Sequence, residues 1–299
     1  SNSPPMNSEE FALRSELARF KTWMPPGHFY SPIPDLTAVH RRAQRIFGQR
    51  GIEIPGVDLN LEQQRQLGLR FLPHYRNDCY PDHPDGNHRY AARNDYFPYA
   101  DAFFTERVLR EIGCQRVIEV GSGWSSALML DVCDDLRRAD QAPPQLDFIE
   151  PYPERLRSLL RPGDERHATL WQQEVQDIPL EFFDRLEPRD LLFIDSSHVI
   201  KTGSDLWYLF FHVLPRLKVG VWVFIHDIPW PFEYPRVWVD EGRAWNEVYL
   251  LRAFLQYNHS FKIRWFPGLV LGLELTWALA NVPRLVHEGG TGIWLERTA

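Results

Sequence analysis

The chain has 299 residues, with 33 Lys and Arg against 40 Asp and Glu, a net charge of −7 and a pI near 5.9. With 44% hydrophobic and 24% charged residues it can bury one large core or two ordinary ones, which excludes a wholly disordered chain. Its basic residues are scattered rather than striped, against a nucleic-acid partner, and its most apolar stretch, residues 269–280, is interrupted by Glu274 and too short to span a bilayer.

Three cysteines at wide spacing, Cys79, Cys114 and Cys133, form no C-x-x-C pair, so neither a disulfide framework nor a zinc knuckle is expected. With no basic-then-apolar pattern at the N-terminus, the expectation is a cytoplasmic protein without a membrane partner.

In chain order, residues 8–21, 34–47 and 61–71 carry helical spacing and are separated by Pro-rich links such as Pro25-Pro26-Gly27 and Ser31-Pro32-Ile33-Pro34. These predict a helical N-terminal region over residues 3–105. Residues 77–94 are polar and turn-rich and read as a long loop; Cys79, His83 and His88 there fit no zinc spacing. From residue 115 the pattern changes. Apolar runs at 116–120, 146–150, 169–171, 191–195 and 221–225 are strand-length and too apolar for half-exposed strands. Helical spacing fills 125–136, 152–160, 180–186 and 205–214, a long helix is predicted over 239–256, and 261–266 and 292–297 read as an antiparallel edge pair. Alternating strand and helix predicts an α/β fold over 106–299, a doubly wound, mostly parallel Rossmann-like sheet.

The first strand runs into Glu119-Val120-Gly121-Ser122-Gly123-Trp124-Ser125-Ser126, and a helix follows at once. Glycines at such a turn let a ligand approach the backbone and leave helix N–H groups free for it. The third glycine of a dinucleotide fingerprint is missing. The second strand ends in Glu150, placed to accept two hydrogen bonds from a ribose diol, or else to cap the next helix. The fourth strand ends in Asp195-Ser196-Ser197-His198 and the fifth in His226-Asp227. Adjacent parallel strands would bring Asp195 and Asp227 together, which is costly without a cation between them. A divalent cation on Asp195 and Asp227, with His226 as a third ligand or as the group that orients Asp227, would satisfy both.

This constellation resembles the class I S-adenosylmethionine-dependent methyltransferases, whose first strand ends in an acid-x-G-x-G loop, here Glu119 to Gly123. The resemblance implies a seven-strand methyltransferase sheet, S-adenosylmethionine as cofactor, Glu119, Gly121, Ser122, Gly123 and Ser125 around it, Glu150 on its ribose and Glu174 on its adenine. It also places the Asn94–Phe97 stretch at the methionine end. The two acids resemble the magnesium-type site of catechol-type and sugar- or macrolide-modifying O-methyltransferases, from which His226 departs. His198 stands where the catechol-type enzymes carry their basic lysine. Histidine, with an ordinary pKa of about 6.5, suits removal of a hydroxyl proton. The expected activity is methyl transfer to a hydroxyl of a small molecule, a sugar, glycan precursor or secondary metabolite, with room for a homo-oligomer. The segment 23–34 resembles N-terminal segments of methyltransferases and is expected to be a lid, and Trp230-Pro231-Phe232-Glu233-Tyr234 an aromatic wall or plain packing. A nicotinamide-dependent oxidoreductase and a non-catalytic scaffold are the alternatives; the first lacks a Tyr-x-x-x-Lys pair.

Overall fold

The computed structural model describes residues 22–48, 51, 53–76 and 80–299. The helix predicted over 8–21 and the residues Asn77, Asp78 and Cys79 lie outside the described residues. Two compact units are present. One contains residues 22–48 and 236–244, the other residues 51–235 and 245–299. The boundary expected at 105/106 falls instead inside a continuous helix, because residues 53–105 belong to the sheet-bearing unit.

In the smaller unit the helix predicted over 34–47 is two short helices, Leu36–Arg41 and Ala43–Phe47, separated at Arg42. Asp35 caps the first by accepting from the Thr37 N–H at 2.9 Å. A third helix, Arg236–Asp240, is tied to them by His40 Nε2 and Asp240 Oδ1 at 2.6 Å.

The larger unit is built on a seven-stranded sheet in the order β3-β2-β1-β4-β5-β7-β6. The strands are β1 (Arg116–Val120), β2 (Gln145–Ile149), β3 (Ala168–Trp171), β4 (Leu191–Ile194), β5 (Trp222–Ile225), β6 (Phe261–Trp265) and β7 (Ile293–Arg297). β1 to β5 are all parallel, and β7 runs antiparallel to both β5 and β6. The last two strands therefore pair as expected, but β7 is interior and, of the two, β6 alone is an edge. Every residue of β4 and β5 is buried, as strands covered on both faces must be. The tilted rings of Phe193, Phe224 and Trp294 pack in turn across β4, β5 and β7 with centroids 4.3 Å apart at each step. Burying each such ring contributes ~1.5–3 kcal/mol.

The main helices of this unit are α1 (Leu61–Phe71), α2 (Tyr99–Ile112), α3 (Trp124–Arg138), α4 (Glu154–Leu159), α5 (Asp205–Tyr208), α6 (Glu247–Leu255) and α7 (Pro267–Leu273). The segment expected as a helix over 180–186 is 3₁₀ (Leu180–Arg185), and that over 205–214 passes from α5 into a π turn (Leu209–Val213). The long helix expected over 239–256 is broken. Gly242 and Ala244 adopt left-handed φ of +79° and +51°, and the chain enters α6 only at Glu247. No helix among the described residues is long and apolar enough to cross a membrane.

The loop before α2 is pinned by one residue. Arg89, 6% exposed, donates from Nε to Asp164 at 2.8 Å and from NH1 to Asp131 at 2.9 Å and Asp134 at 2.7 Å. Asp131 also accepts from the Arg89 and Tyr90 N–H groups, so the loop is fastened to α3 through both side chain and backbone. Arg89→Met, which leaves the three carboxylates without their shared cation, is expected to lower stability by ~3–5 kcal/mol, measured by urea unfolding.

Candidate active site

The chain runs from β1 through β2 to β3 on one side and then returns to β4 and β5 on the other, so a crevice opens between the carboxyl ends of β1 and β4. Gly121 sits at its floor with φ +82°. A Cβ there would lie 1.7 Å from the Asp195 carbonyl oxygen, so only glycine allows the two strand ends to meet this closely. Glu150, at the end of β2, is held by the Ser122 N–H on Oε2 at 3.1 Å and the Tyr152 N–H on Oε1 at 2.8 Å. Each oxygen keeps a lone pair for a further donor. Ser196 Oγ, next to Asp195, is buried and has no hydrogen-bond partner.

Several expected cofactor contacts are spent on the protein itself. Glu119 is fully buried and accepts from Ser125 Oγ at 2.5 Å and from Ser126 Oγ, while Ser126 Oγ also accepts from the Gly123 N–H. Burial pushes its carboxyl up to about 8, so Glu119 and Ser125 brace the turn from beneath. Asn94 is also fully used, accepting from the Tyr96 and Phe97 N–H groups and donating to the Ala91 and Phe97 carbonyls. Glu174 is exposed after β3 and accepts from Gln176.

Asp195, His198, His226 and Asp227 do converge. His226 Nδ1 lies 3.2 Å from Asp195 Oδ1 and 3.8 Å from Asp227 Oδ2, and its Nε2 lies 3.1 Å from Asp101 Oδ2 on α2. His198 Nε2 lies 3.6 Å from both Asp195 Oδ1 and Asp227 Oδ2, while its Nδ1 lies 2.8 Å from Glu247 Oε2 at the start of α6. Thr291 Oγ1 donates to Asp227 and its N–H to Asp101. Burial opposes charging His226, but Asp195, Asp227 and Asp101 around it win and raise its pKa well above the ordinary value. Burial likewise pushes Asp195 up, and His226 more than reverses this, holding it below the usual carboxylate range.

The three carboxylates thus favour the charged form of the imidazole between them. Among the described residues, no group of three or more His, Cys, Asp or Glu side chains, Asp195, Asp227 and His226 included, is arranged to hold a metal ion. His226 has both ring nitrogens engaged by carboxylates.

His198 and Asp227 hold left-handed φ of +58° and +53°, a cost of roughly 1–3 kcal/mol each that the surroundings impose. The His198 carbonyl accepts from the Asn246 and Glu247 N–H groups, Asn246 Oδ1 accepts from the Ile200 N–H, and the Trp245 ring lies 4.4 Å from the imidazole. Glu247 escaped the sequence reading, and Asp101 figures in it only as part of the segment before the sheet, near the methionine end of the cofactor. Each is an acid in the first turn of a helix, where a solvated, dipole-favoured carboxylate is the ordinary meaning. The signal was apolar surroundings, Tyr99-Ala100-Asp101-Ala102-Phe103 and Glu247-Val248-Tyr249-Leu250. The aromatic segment after β5 is mostly packing: Phe232 and Tyr234 are buried, and the Phe232 ring packs at a tilt against Phe266.

Residues 118–228, from β1 to just past β5, match the methyltransferase domain family. An uncharacterised protein of Archaeoglobus fulgidus is 38% identical over 169 residues, spanning 54% of this chain and 73% of that one. The chain belongs to the methyltransferase family. With its seven-strand sheet and glycine turn it is a class I, S-adenosylmethionine-dependent methyltransferase. Among solved structures, it is similar to the methyltransferase PaMTH1 of Podospora anserina bound to S-adenosylhomocysteine, with 13% identity, a TM-score of 0.43 and coverage of 94% of this chain and 100% of that one. The O-methyltransferase of Bacillus cereus in complex with S-adenosylhomocysteine shares 12% identity at a TM-score of 0.40, over 88% and 97% of the two chains.

His226→Asn in this methyltransferase leaves Asp101, Asp195 and Asp227 without their shared charge and is expected to cost ~3–5 kcal/mol. A raised histidine pKa contributes stability fully below the ordinary value of about 6.5 and loses it as pH rises through the folded-state value. The gap between wild type and variant in thermal unfolding should therefore be widest at acid pH and narrow as pH rises.

Proposed function

We propose that the methyltransferase moves the methyl group of S-adenosylmethionine onto a hydroxyl of a small molecule, a sugar, glycan precursor or secondary metabolite, with His198 as the base. The observation that supports this best is the paired geometry of His198, with Nδ1 on the buried Glu247 and Nε2 turned toward the two strand-end carboxylates.

The residues of the crevice suit the cofactor. Glu150 would hold the ribose diol through the lone pairs its backbone donors leave free, the turn of Gly121 and Gly123 would lie beside the ligand, and Glu174 would accept from the adenine amine. Bound S-adenosylmethionine supplies an electrophilic methyl on a sulfonium. Asp195, kept ionised by His226, would face that positive charge. In an in-line displacement the acceptor oxygen forms the bond to the methyl carbon as the carbon–sulfur bond breaks, and the hydroxyl proton passes to His198 Nε2. Glu247 holds the proton on Nδ1 and so fixes which nitrogen receives the new one. No step in this reading is routed through a divalent cation.

Burial works against charging His198, but its bond to Glu247 and the nearby Asp195 and Asp227 carboxylates raise its pKa. As a base it acts once that proton is lost, so kcat should rise with pH through a midpoint above about 6.5. Glu247→Gln removes a negative charge and should move the midpoint toward acid. His198→Ala should cut kcat by ~10²–10⁴-fold and leave S-adenosylhomocysteine binding within a few-fold, measured by turnover and titration calorimetry. Unchanged turnover in His198→Ala would remove the base from this reading.

A further inference from the structure

The loop that carries His198 is strung between the first turns of two helices. Ser197 gives its N–H to Asp205 Oδ2 at 2.8 Å and its Oγ to Oδ1 at 2.6 Å, so the start of α5 fastens the loop on one side of the histidine. On the other side Ile200 is bonded twice to Asn246, its N–H donating to Oδ1 at 2.7 Å and its carbonyl accepting from Nδ2 at 3.3 Å. The Asn246 N–H also reaches the His198 carbonyl, at 3.1 Å. Between these fastenings the backbone turns left-handed at His198, with Nδ1 on Glu247 and Nε2 toward Asp195 and Asp227. Asn246 stands at the N-cap of α6, where asparagine ordinarily accepts from an N–H of its own helix. It makes no such bond, and both ends of its amide are spent on Ile200. Glu247 follows the same pattern: an acid of the first turn, buried and bonded to the imidazole instead of facing water at the helix start. Two consecutive residues thus give up the usual means of stabilising a helix end and serve one loop instead.

We propose that Asn246 is a positioning residue for the base: by clamping Ile200 it keeps His198 in the left-handed conformation from which Nδ1 meets Glu247 and Nε2 is left for the acceptor, an inference that rests on the reading of His198 as base. A left-handed residue other than glycine reverts to an ordinary φ unless its neighbours prevent it. The net worth of two hydrogen bonds is of the same order as that strain, so the two Ile200 bonds are enough to decide the conformation. Without them the backbone at residue 198 relaxes and carries the ring off Glu247. The neutral imidazole then loses the partner that fixes its proton on Nδ1, and the nitrogen that must accept the hydroxyl proton is no longer kept free.

The test reads the tautomer of His198 directly, by nitrogen–proton correlation NMR of the full chain carrying ¹⁵N-labelled histidine at a pH where the ring is neutral, its signals assigned by their loss in His198→Ala. Wild type is expected to show a single form protonated on Nδ1. Asn246→Ser keeps a residue as good as asparagine at an N-cap but one bond too short to reach Ile200. It is expected to leave the urea midpoint nearly unmoved while the single form gives way to a mixture of tautomers. Asn246→Asp, which still accepts from the Ile200 N–H, should recover most of the Nδ1-protonated form. Turnover in Asn246→Ser should fall about ten- to a hundredfold with S-adenosylhomocysteine binding held within about twofold. An unchanged tautomer in folded Asn246→Ser overturns the assignment of Asn246 and leaves the base reading standing. So does a tautomer change that comes only with a matching loss of stability in both the Ser and Asp variants, which would make Asn246 a structural residue. Unchanged turnover in His198→Ala overturns the base reading and this inference with it, whatever the Asn246 variants show.

Discussion

The buried imidazole of His226 is the interaction on which the rest of the site depends. Three carboxylates from three separate elements, Asp101 on α2, Asp195 after β4 and Asp227 after β5, come within 3.8 Å of its two nitrogens. Without a positive charge at that point, carboxylates so close would take up protons or part. With it, Asp195 stays ionised at the mouth of the crevice and α2 is fixed against the sheet edge. The price in backbone strain at Asp227 is met by the same cluster, since Thr291 holds the carboxylate and the neighbouring strand β7 supplies the support.

A second constraint is steric and lies one strand over. β1 and β4 end so close together that residue 121 has no room for a side chain. This near contact makes the crevice a continuous floor from the turn after β1 to the acid after β4, whose two ends are held at fixed separation by the sheet itself. The loop after β4 gains rigidity by docking His198 and Ile200 onto Asn246 and Glu247, just where the chain re-enters the larger unit. The broken helix matters for this reason. A continuous helix over 239–256 would bury Asn246 in regular hydrogen bonding and leave no free N–H to hold the His198 carbonyl.

The parts legible in the sequence were those with a strong local signal. β1, with four buried residues in five and a glycine turn behind it, was predicted to the residue, and the ends of β4 and β5 were placed closely enough to bring Asp195, His198, His226 and Asp227 together. The 3₁₀ and π segments were not legible, because i+3 and i+5 bonding shares side-chain spacing with the α-helix over one or two turns. The position of β7 inside the sheet depends on pairing between residues far apart in the chain. The expectation of a metal followed from two convergent carboxylates needing a cation, and residue identity alone could not show that Asp101 on a distant helix adds a third carboxylate with His226 between them.

Glu119 shows the same limit in the opposite direction. Its place in the acid-x-G-x-G loop suggested a ligand contact, yet a carboxylate whose pKa burial has pushed up to about 8 and whose oxygens take two serine hydroxyls is a brace. What distinguishes it from Glu150, the next acid along the same sheet edge, is the supply of donors. Glu119 meets hydroxyls beneath the turn, whereas Glu150 meets two backbone N–H groups at its rim and stays accessible. Acids at strand ends of the same sheet therefore divide into buried and accessible according to which side of the glycine turn their carboxylates occupy. The turn is the boundary between the protein's interior and the crevice.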